Sequence, residues 1–511
     1  MFRKTKLQHT TFNPLVIIAF SQQHALTSAF MISASSNELA VQLKSHFPHT
    51  PTLGQERLIH AFSRFLISKK PRCTLIIKGY AGTGKTTSIG AIVRTLKAQK
   101  VPTVLLAPTG RAAKVMASYS GINASTIHRR IYVGKKNSDG SDGYKLAPNL
   151  YKRTTFIVDE ASMIGESGGH LNNLLDNLLE YVFSGIECRL ILVGDDAQLP
   201  PVGCSTSPAL QEKRLTENHS LTIATVELTE VVRQELDSSI LANAHGLRLD
   251  ISNAIDKKKI NYPELDLSLG PDVMRLPGLE LQDSLETLHG RFGEDGVIVI
   301  TRSNKRAVLF NQQIRQRVLW QEEDINAGDR LMVVKNNYFW LKDHKELPVD
   351  LIANGDMLEV VRISSRFTRY GHEFAEVDVT VSDFPDYPSF TVTILLSILN
   401  DIKASMSQAD TKALYHAIGE DYSDLRTKSA IRKAINSDPC YQALQVKFAY
   451  SLTCHKAQGG QWPAVIIDQG YISEEMIDRD WLRWLYTAFT RAEKELYLLN
   501  FDDRFFADHS E

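Results

Sequence analysis

The chain has 511 residues, 43% hydrophobic and 23% charged, which are ordinary values for a folded protein and exclude collagen-like and mostly disordered classes. Its 58 Lys and Arg face 59 Asp and Glu, so the net charge is -1 and a nucleic-acid site would have to be a local groove. The five cysteines are widely spaced without a C-x-x-C pair, which gives no support for a disulfide framework, a zinc ribbon or an iron–sulfur cluster.

The first residues of the chain differ in composition from the rest. Residues 1–37 contain no Asp or Glu, and a basic start is followed by a short apolar stretch. Two alternatives stand open: a targeting segment, or an upstream extension of a protein whose true start is Met31. We expect residues 1–50 to be an N-terminal extension, in part non-native or disordered. No apolar run approaches the ~18 residues of a membrane-spanning helix, so we expect no membrane partner.

Short apolar runs alternate with helical patterns, first across residues 73–235 and again after residue 297. Apolar runs of four to six residues bounded by polar or glycine-rich turns are typical of buried parallel strands. The pattern predicts an α/β fold with two doubly wound lobes. The predicted strands are Thr74–Ile77, Thr103–Leu106, Phe156–Val158 and Leu190–Val193 in the first lobe, and Val297–Ile300, Lys447–Tyr450, Val465–Ile467 and Leu496–Leu499 in the second.

A different pattern interrupts the second lobe. Residues 329–395 alternate polar and apolar side chains, with turn signals at Asn354-Gly355 and Tyr370-Gly371, which predicts antiparallel hairpins and an inserted small β-barrel. Residues 401–440 are polar and helical and extend the insert. The predicted domains are the extension (1–50), a first lobe (51–235) with a small inserted hairpin near 129–153, a second lobe (236–328 and 441–511) and the insert (329–440).

The segment GYAGTGKT at Gly79–Thr86 matches G-x-x-x-x-G-K-[ST], directly after one predicted strand and before a helix. Its glycines let backbone N–H groups surround a phosphate, and the helix N-terminus adds partial positive charge. Lys85 would neutralise the γ-phosphate and Thr86 would ligate Mg²⁺. The predicted nucleotide-binding residues of this loop are Gly79, Gly82, Thr83, Gly84, Lys85, Thr86 and Thr87.

A second motif supplies carboxylates. Asp159 and Glu160 directly follow the apolar strand that begins at Thr155. Ligands of α/β proteins bind at the carboxyl ends of strands, so these acids are expected beside the phosphate loop. We predict that Asp159 holds the Mg²⁺ and that Glu160 orients and deprotonates the attacking water.

The segments around these motifs resemble the superfamily 1B helicases, the RecD-like and Dda-like group with a UvrD-type C-terminal helicase domain. The resemblance spans residues 51 to about 500, in the correct order. The matching segments are Leu53–Glu56, Ala107–Lys114, Ser125–His128, Leu192–Gly203, Leu228–Gln234, Ser451–Gln461 and Tyr486–Ala492.

This resemblance implies two RecA-like lobes, the inserted β-barrel, ATP and Mg²⁺ as cofactors, and further roles for particular residues. Gln55 stands where the family recognises adenine, and Gln198 where it senses the γ-phosphate. Arg233 and Arg491 would bring two positive charges to the nucleotide, and Gln461 is a further candidate nucleotide contact. Since Lys85 and Arg491 lie on different lobes, hydrolysis would require the lobes to close.

For nucleic acid, the resemblance implies contacts along single-stranded DNA by Pro108, Thr109, His128, Thr453 and His455. Hydroxyls, imidazoles and backbone would bind phosphate and sugar without sequence preference. The leading interpretation is an ATP-dependent helicase that moves 5′ to 3′ on single-stranded DNA and opens tailed duplexes. Repair or replication proteins are the expected partners, in the cytoplasm of a bacterium or at its nucleoid.

Two alternatives remain at this point. One is an RNA-directed or ribonucleoprotein-remodelling ATPase of the same superfamily. The other is an ATP-switched DNA-binding subunit of a repair complex, with little unwinding of its own. The residues alone, without the resemblance, indicate only a nucleotide-driven machine of two lobes.

Overall fold

The computed structural model describes residues 35–136, 142–165, 173–232, 238–254, 260–342, 344, 351–382 and 387–507. They form three main sheets with flanking helices and one small hairpin. Among these residues, no helix has the length and apolar character needed to cross a lipid bilayer.

The first lobe is a parallel six-stranded sheet covered by helices on both faces, which explains why its central strands contain the apolar runs Leu75–Ile77, Phe156–Val158 and Leu190–Val193. Its helices are α1 (Ser36–Ser45), α2 (Leu53–Ile67), α3 (Lys85–Ala98), α4 (Gly110–Ser120), α5 (Ile127–Ile131), α6 (Leu174–Ser184) and α7 (Glu212–His219). Its strands are β1 (Cys73–Gly79), β2 (Thr103–Ala107), β3 (Ala124–Thr126), β6 (Thr155–Val158), β7 (Arg189–Gly194) and β8 (Thr222–Leu228). The strand order is β3-β2-β6-β7-β1-β8, so all four strands predicted for this lobe are confirmed in one sheet.

Two smaller features complete this lobe. Strands β4 (Tyr132–Lys136) and β5 (Asp142–Leu146) pair antiparallel as the predicted hairpin. Helix α1 begins at a capping box on Ser35 and buries Leu39 and Leu43 completely in the core of the lobe. The part of the expected extension that follows residue 35 therefore packs as part of the lobe, and residues 1–34 lie outside the described residues.

The second lobe is a parallel five-stranded sheet with the order β16-β10-β17-β18-β9. These strands are β9 (Val273–Leu276), β10 (Val297–Thr301), β16 (Ser451–Thr453), β17 (Trp462–Asp468) and β18 (Ala492–Leu499). The helices beside them are α8 (Ser239–Asn253), α9 (Leu281–Phe292), α10 (Asn304–Gln313), α13 (Cys454–Ala457) and α14 (Arg479–Phe489).

The third sheet lies between β10 and β16 in the chain and is antiparallel, with the order β14-β13-β12-β11-β15. Its strands are β11 (Arg330–Val333), β12 (Met357–Arg369), β13 (His372–Val381), β14 (Phe390–Leu395) and β15 (Val446–Phe448), and helices α11 (Gln408–Asp421) and α12 (Lys428–Ile435) follow β14. The turn predicted at Tyr370-Gly371 joins β12 to β13, with both residues in the left-handed region. The N–H of Leu395 donates to the carbonyl of Leu444 (3.0 Å), which connects β14 to the segment before β15.

One predicted strand was wrong. The run Lys447–Tyr450 was assigned to the second lobe, but Lys447 pairs with Met332 of β11 in the antiparallel sheet. The strand of the second lobe begins at Ser451, where it pairs with β10. Two short strands in different sheets follow one another within a single apolar run, and apolar periodicity cannot distinguish the partner of each.

The two lobes pack together around residues that follow β7. Ala197 and Leu199 of the first lobe are buried in the same apolar cluster as Ile240 and Tyr486 of the second. Polar contacts support this packing, since the N–H of Leu199 donates to Thr487 Oγ1 at 2.8 Å. The carboxyl ends of β1, β6 and β7 therefore face the second lobe.

Candidate nucleotide and nucleic-acid sites

The phosphate loop, Gly79–Thr86, connects β1 to α3. Gly82 and Gly84 have φ values of +75° and +77°, a region that residues with a Cβ rarely adopt. Gly84 also allows close packing, because a Cβ at this position would lie 2.5 Å from Gln55 Nε2. The hydroxyl of Thr83 donates to the carbonyl of Tyr80 (2.8 Å) and stabilises the bend. The loop therefore has the backbone conformation that directs N–H groups toward a phosphate.

The side chains at the start of α3 reach the same place. Lys85 Nζ donates to the carbonyls of Gly79 (2.8 Å) and Tyr80 (2.9 Å), so its ammonium lies inside the loop. Thr86 is exposed and Thr87 is half-buried, both in the first turn of the helix. The lysine and the exposed hydroxyl therefore flank the helix N-terminus, where an anion is favoured.

Gln55 lies against the loop from α2. Its side chain is fully buried, and Oε1 accepts a hydrogen bond from the N–H of Thr52 (3.1 Å). Its Nε2 has no hydrogen-bond partner among the described residues. A buried amide donor without a partner costs about 1–3 kcal/mol, and an acceptor on a ligand such as a nucleobase would remove that cost.

The two predicted acids lie at the carboxyl end of β6. Tyr119 OH donates to Asp159 Oδ2 (2.7 Å), and the N–H of Glu160 donates to Asp159 Oδ1 (2.8 Å). Burial raises the pKa of both carboxyls, and the charge of Asp159 raises the pKa of Glu160 further, whereas Lys85 lowers both. Glu160 has a φ of +51°, an unusual conformation for a residue with a Cβ.

These acids fit a magnesium ion bound together with a triphosphate. Adjacent half-buried carboxylates and a threonine hydroxyl at the start of α3 are hard oxygen ligands, which Mg²⁺ prefers. Among the described residues, no cluster of three or more His, Cys, Asp or Glu side chains could hold a metal ion by itself. Mg²⁺ is usually bound through one or two carboxylates plus substrate phosphates.

A third acid connects the loop to the second lobe. Asp195, at the end of β7, is fully buried, and burial raises its pKa while nearby Lys85 lowers it. Tyr486 of α14 donates its hydroxyl proton to Asp195 Oδ2 (2.7 Å), and its oxygen accepts from the N–H of Ala81 (3.1 Å). Gln198 follows on the same segment, buried, and its Oε1 has no hydrogen-bond partner among the described residues.

Arg491 lies at the end of α14 on the second lobe and is 4% exposed. Its guanidinium donates to the carbonyls of Thr487 and Gly460 (3.0 Å each) and to Thr490 Oγ1 (2.9 Å), so three oxygens fix its position. Its charge lowers the pKa of Glu160, as the charge of Lys85 does. The charges of the first-lobe lysine and of the second-lobe arginine therefore both lower the pKa of the same carboxyl.

Two predicted nucleotide contacts differ from this group. Gln461 is exposed, and its carbonyl accepts from Arg111 Nη2 (2.5 Å) across the lobe boundary. Arg233 lies outside the described residues.

Apart from the nucleotide site, a cleft of about 1020 Å³ opens between the two lobes and the antiparallel sheet, and we call it the wide cleft. Pro108, Thr109 and His128 of the first lobe and His455 of the second lobe all line it. Thr453 lies two residues before His455 and is half-buried, but it does not line the cleft. The structure thus brings together four of the five residues predicted to contact nucleic acid.

The charge of the wide cleft is one-sided. Three lysines and two histidines line it, and among the described residues that line it there is no Asp or Glu. Burial lowers the pKa of His128, His455, Lys335 and Lys456, which means that no nearby carboxylate offsets the loss of water. In a chain of net charge -1, this is a local basic groove suited to a polyanion.

The residues predicted from sequence do not include several that the structure places in these sites. Asp195 and Tyr486 lie inside matching segments, so their motifs were a usable signal. Tyr119 lies in α4, 40 residues before Asp159, and no local pattern connects the two. Lys335 belongs to the insert, where no motif was recognised.

These features together define a two-lobed P-loop nucleoside triphosphatase. The first lobe supplies a glycine-rich loop between a parallel strand and a helix, with two acids beside it, and the second α/β lobe supplies an arginine.

Comparison with known proteins identifies the family. An AAA domain family matches residues 54–260, and the UvrD-like helicase C-terminal domain matches residues 448–499. The ATP-dependent RecD2 DNA helicase of Deinococcus radiodurans is 33% identical over 275 residues, covering 52% of this chain and 34% of that protein. The ATP-dependent DNA helicase dda of Enterobacteria phage T4 is 24% identical over 429 residues, covering 80% of this chain and 90% of that protein. These matches support a superfamily 1B helicase of the RecD, Dda and Pif1 type.

Among solved structures, two coordinating Pif1 helicases at forked double-stranded DNA resemble the chain at 14% identity, covering 89% of this chain and 94% of theirs. The TM-score of 0.46 is too low for this likeness to bear on function. The chain also spans only about a third of the length of RecD2.

Proposed function

We propose that the chain hydrolyses ATP to move along single-stranded DNA in the 5′ to 3′ direction and to separate the strands of tailed duplex DNA. The observation that carries this proposal is the wide cleft. It is basic, free of lining carboxylates among the described residues, and built by the same two lobes that meet at the phosphate loop. Two relatives of the chain, RecD2 of Deinococcus radiodurans and dda of phage T4, are ATP-dependent DNA helicases.

In the nucleotide site, we assign the triphosphate to the phosphate loop and to Lys85, and the adenine to the unpartnered amide of Gln55. Thr86 and Asp159 would hold Mg²⁺, which when bound neutralises phosphate charge. Glu160 would accept the proton of the attacking water, and Gln198 would orient toward the γ-phosphate. Arg491, and Arg233 by family resemblance alone, would stabilise the charge that develops in the transition state.

The nucleotide site and the wide cleft are coupled because each lobe contributes residues to both. Thr109 and His128 come from the first lobe, and His455 and Lys456 from the second. Closure of the lobes around ATP would therefore shorten the distance between two groups of strand contacts, and opening after hydrolysis would lengthen it. Contacts to phosphate and sugar permit such movement because they do not depend on base sequence.

We assign the antiparallel sheet to the small β-barrel that the family resemblance implies. The hydrogen bonds between β14 and the segment before β15 support closure of this sheet. Pairing of β15 with β11 supports an insert that runs from residue 329 to about 450 rather than to 440. Lys335 would then bring a cation from the insert to the bound strand.

Strand displacement tests the proposal. Purified chain with ATP and Mg²⁺ should displace a strand from a duplex with a 5′ single-stranded tail, and displacement from a 3′-tailed duplex should be much weaker. Lys85→Ala serves as the control for dependence on ATP. Displacement of the 3′-tailed duplex alone would reverse the assigned direction.

The alternative functions give different outcomes in the same assay. Stimulation of ATP turnover by RNA but not by DNA oligonucleotides would indicate an RNA-directed motor. Binding to tailed DNA without displacement, until a partner is added, would indicate an ATP-switched binding subunit. A strand-separating motor would work beside repair or replication proteins in a bacterial cytosol or nucleoid.

A further inference from the structure

Two consecutive residues of the phosphate loop, Tyr80 and Ala81, are contacted by the second lobe. The guanidinium of Arg248, on α8, lies 3.9 Å from the centre of the Tyr80 ring. The N–H of Ala81 donates to the hydroxyl oxygen of Tyr486, on α14. The loop that would bind the triphosphate is therefore held from the opposite side of the interlobe boundary.

The contact between Tyr80 and Arg248 is partly buried at the boundary between the lobes. The Tyr80 ring lies against the apolar cluster of the second lobe that contains Leu247 and Tyr486. Burial, together with the charge of Asp196, raises the pKa of Tyr80 to about 12, whereas the charge of Arg248 acts in the opposite direction. Arg248 Nε is buried and has no hydrogen-bond partner among the described residues, so the ring face is the favourable contact of this part of the guanidinium.

This pair is not part of the nucleotide chemistry assigned above. Neither side chain is among those assigned to bind phosphate or Mg²⁺, to activate water, or to stabilise the transition state as Arg491 would. Tyr80 occupies one of the four positions of G-x-x-x-x-G-K-[ST] that the motif leaves open, and Arg248 lies outside every matching segment.

We infer that Tyr80 and Arg248 are positioning residues that hold the phosphate loop in its binding conformation when the lobes are together. The inference rests on the proposed function and deepens its account of the nucleotide site. A loop that is already ordered loses less conformational freedom when it binds a ligand. Closure of the lobes and nucleotide binding therefore strengthen each other, and the loop detaches from the second lobe when the lobes separate.

A double-mutant cycle tests this coupling in the full chain. Tyr80→Ala, Arg248→Ala and the double variant are compared with the wild type for the KM of ATP and for kcat at saturating single-stranded DNA. Each single variant should raise KM by about 3- to 30-fold, the range of a partly desolvated cation–π contact, with kcat within about twofold. The KM of the double variant should be close to that of either single variant, because the first substitution already removes the contact.

Controls separate positioning from a loss of folding. Tyr80→Phe retains the ring and should keep KM near the wild-type value. Arg504→Ala removes another arginine that stacks on a tyrosine, Tyr262, at 4.6 Å within the second lobe, and it should leave KM unchanged. Thermal unfolding of every variant shows whether the fold is intact.

A second measurement makes the result independent of turnover. Calorimetric titration with ADP should show weaker binding for Tyr80→Ala and Arg248→Ala by a similar factor, and no further weakening in the double variant. Fully multiplicative effects in the cycle, or an unchanged ADP affinity, would overturn the inference. If the chain bound ADP but failed to displace DNA, the helicase proposal would fail. The ADP titrations would still show whether Tyr80 and Arg248 position the phosphate loop.

Discussion

The nucleotide site and the wide cleft differ in how their charges are arranged, although the same two lobes contribute to both. The nucleotide site combines the half-buried carboxylates of Asp159 and Glu160 and the buried carboxylate of Asp195 with the cations Lys85 and Arg491. The wide cleft has lysines and histidines but, among the described residues that line it, no carboxylate. A site of mixed charge suits a triphosphate with its metal ion, whereas a site with one sign of charge suits a chain of phosphates.

This difference also determines what a substitution should do. In the nucleotide site, each charge shifts the pKa of another group, so removal of one group disturbs the rest. In the wide cleft, the cations have no anionic partner among the described lining residues, so each should act almost independently. The expected effects below therefore range from complete loss of turnover to a small shift of a pH profile.

Lys85→Ala should have the largest effect, because it removes the cation inside the phosphate loop. We expect ATP turnover to fall by at least ~10³-fold and nucleotide affinity to fall as well. The measurement is steady-state ATP hydrolysis with and without single-stranded DNA. Lys97→Ala, an exposed lysine in the last turn of the same helix, is the control. Survival of most DNA-stimulated turnover would remove the phosphate-loop assignment.

Arg491→Ala should separate binding from chemistry. ADP affinity should stay within about twofold, whereas turnover should fall by roughly 10³-fold, as for other arginine fingers. Arg491→Lys keeps the charge but not the planar fork, so it should also be slow. Thermal unfolding is needed beside the kinetics, because this guanidinium also donates to three oxygens of its own lobe. A near-wild-type rate would contradict the assigned role.

Lys335→Ala should affect only the wide cleft. We expect single-stranded DNA affinity to fall by roughly 3- to 10-fold, and the slope of log K against log salt to decrease by about 1, as for loss of one phosphate contact. Turnover without DNA should be unchanged. Lys494→Ala, a lysine of β18 outside the cleft, should leave both quantities unaltered. If the salt dependence were unchanged in Lys335→Ala, the bound single-stranded DNA would not contact Lys335.

The smallest effect concerns pH. Burial raises the pKa of Asp159 and Glu160, so turnover should decline on the acid side at a pH above the ordinary carboxyl range. Tyr119 lowers the pKa of Asp159 by donating to its charged form, so Tyr119→Phe should raise that pKa and move the acid limb to higher pH, by less than about one unit. Tyr132→Phe, which removes a hydroxyl bonded to Asn177 instead, is the control. A shift to lower pH would contradict this account.

The phosphate loop, the two acids and most strands of both lobes could be read from the sequence because each depends on residues close together in the chain. Gly82 and Gly84 are required by a local backbone conformation, and the burial of parallel strands appears directly as apolar runs. The hairpin at Tyr370-Gly371 is local in the same way. The family resemblance extended this local information to Gln55, Gln198 and Arg491.

Other features depend on contacts between residues far apart in the chain, and only the tertiary structure decided them. The partner sheet of Lys447 was decided by packing, since one apolar run serves two sheets. The bond from Tyr119 to Asp159, the link from Ala81 through Tyr486 to Asp195, and the stacking of Arg248 on Tyr80 have no local signature. The absence of carboxylates from the lining of the wide cleft, among the described residues, is likewise invisible in a chain with balanced charge, because it depends on which side chains the fold brings together.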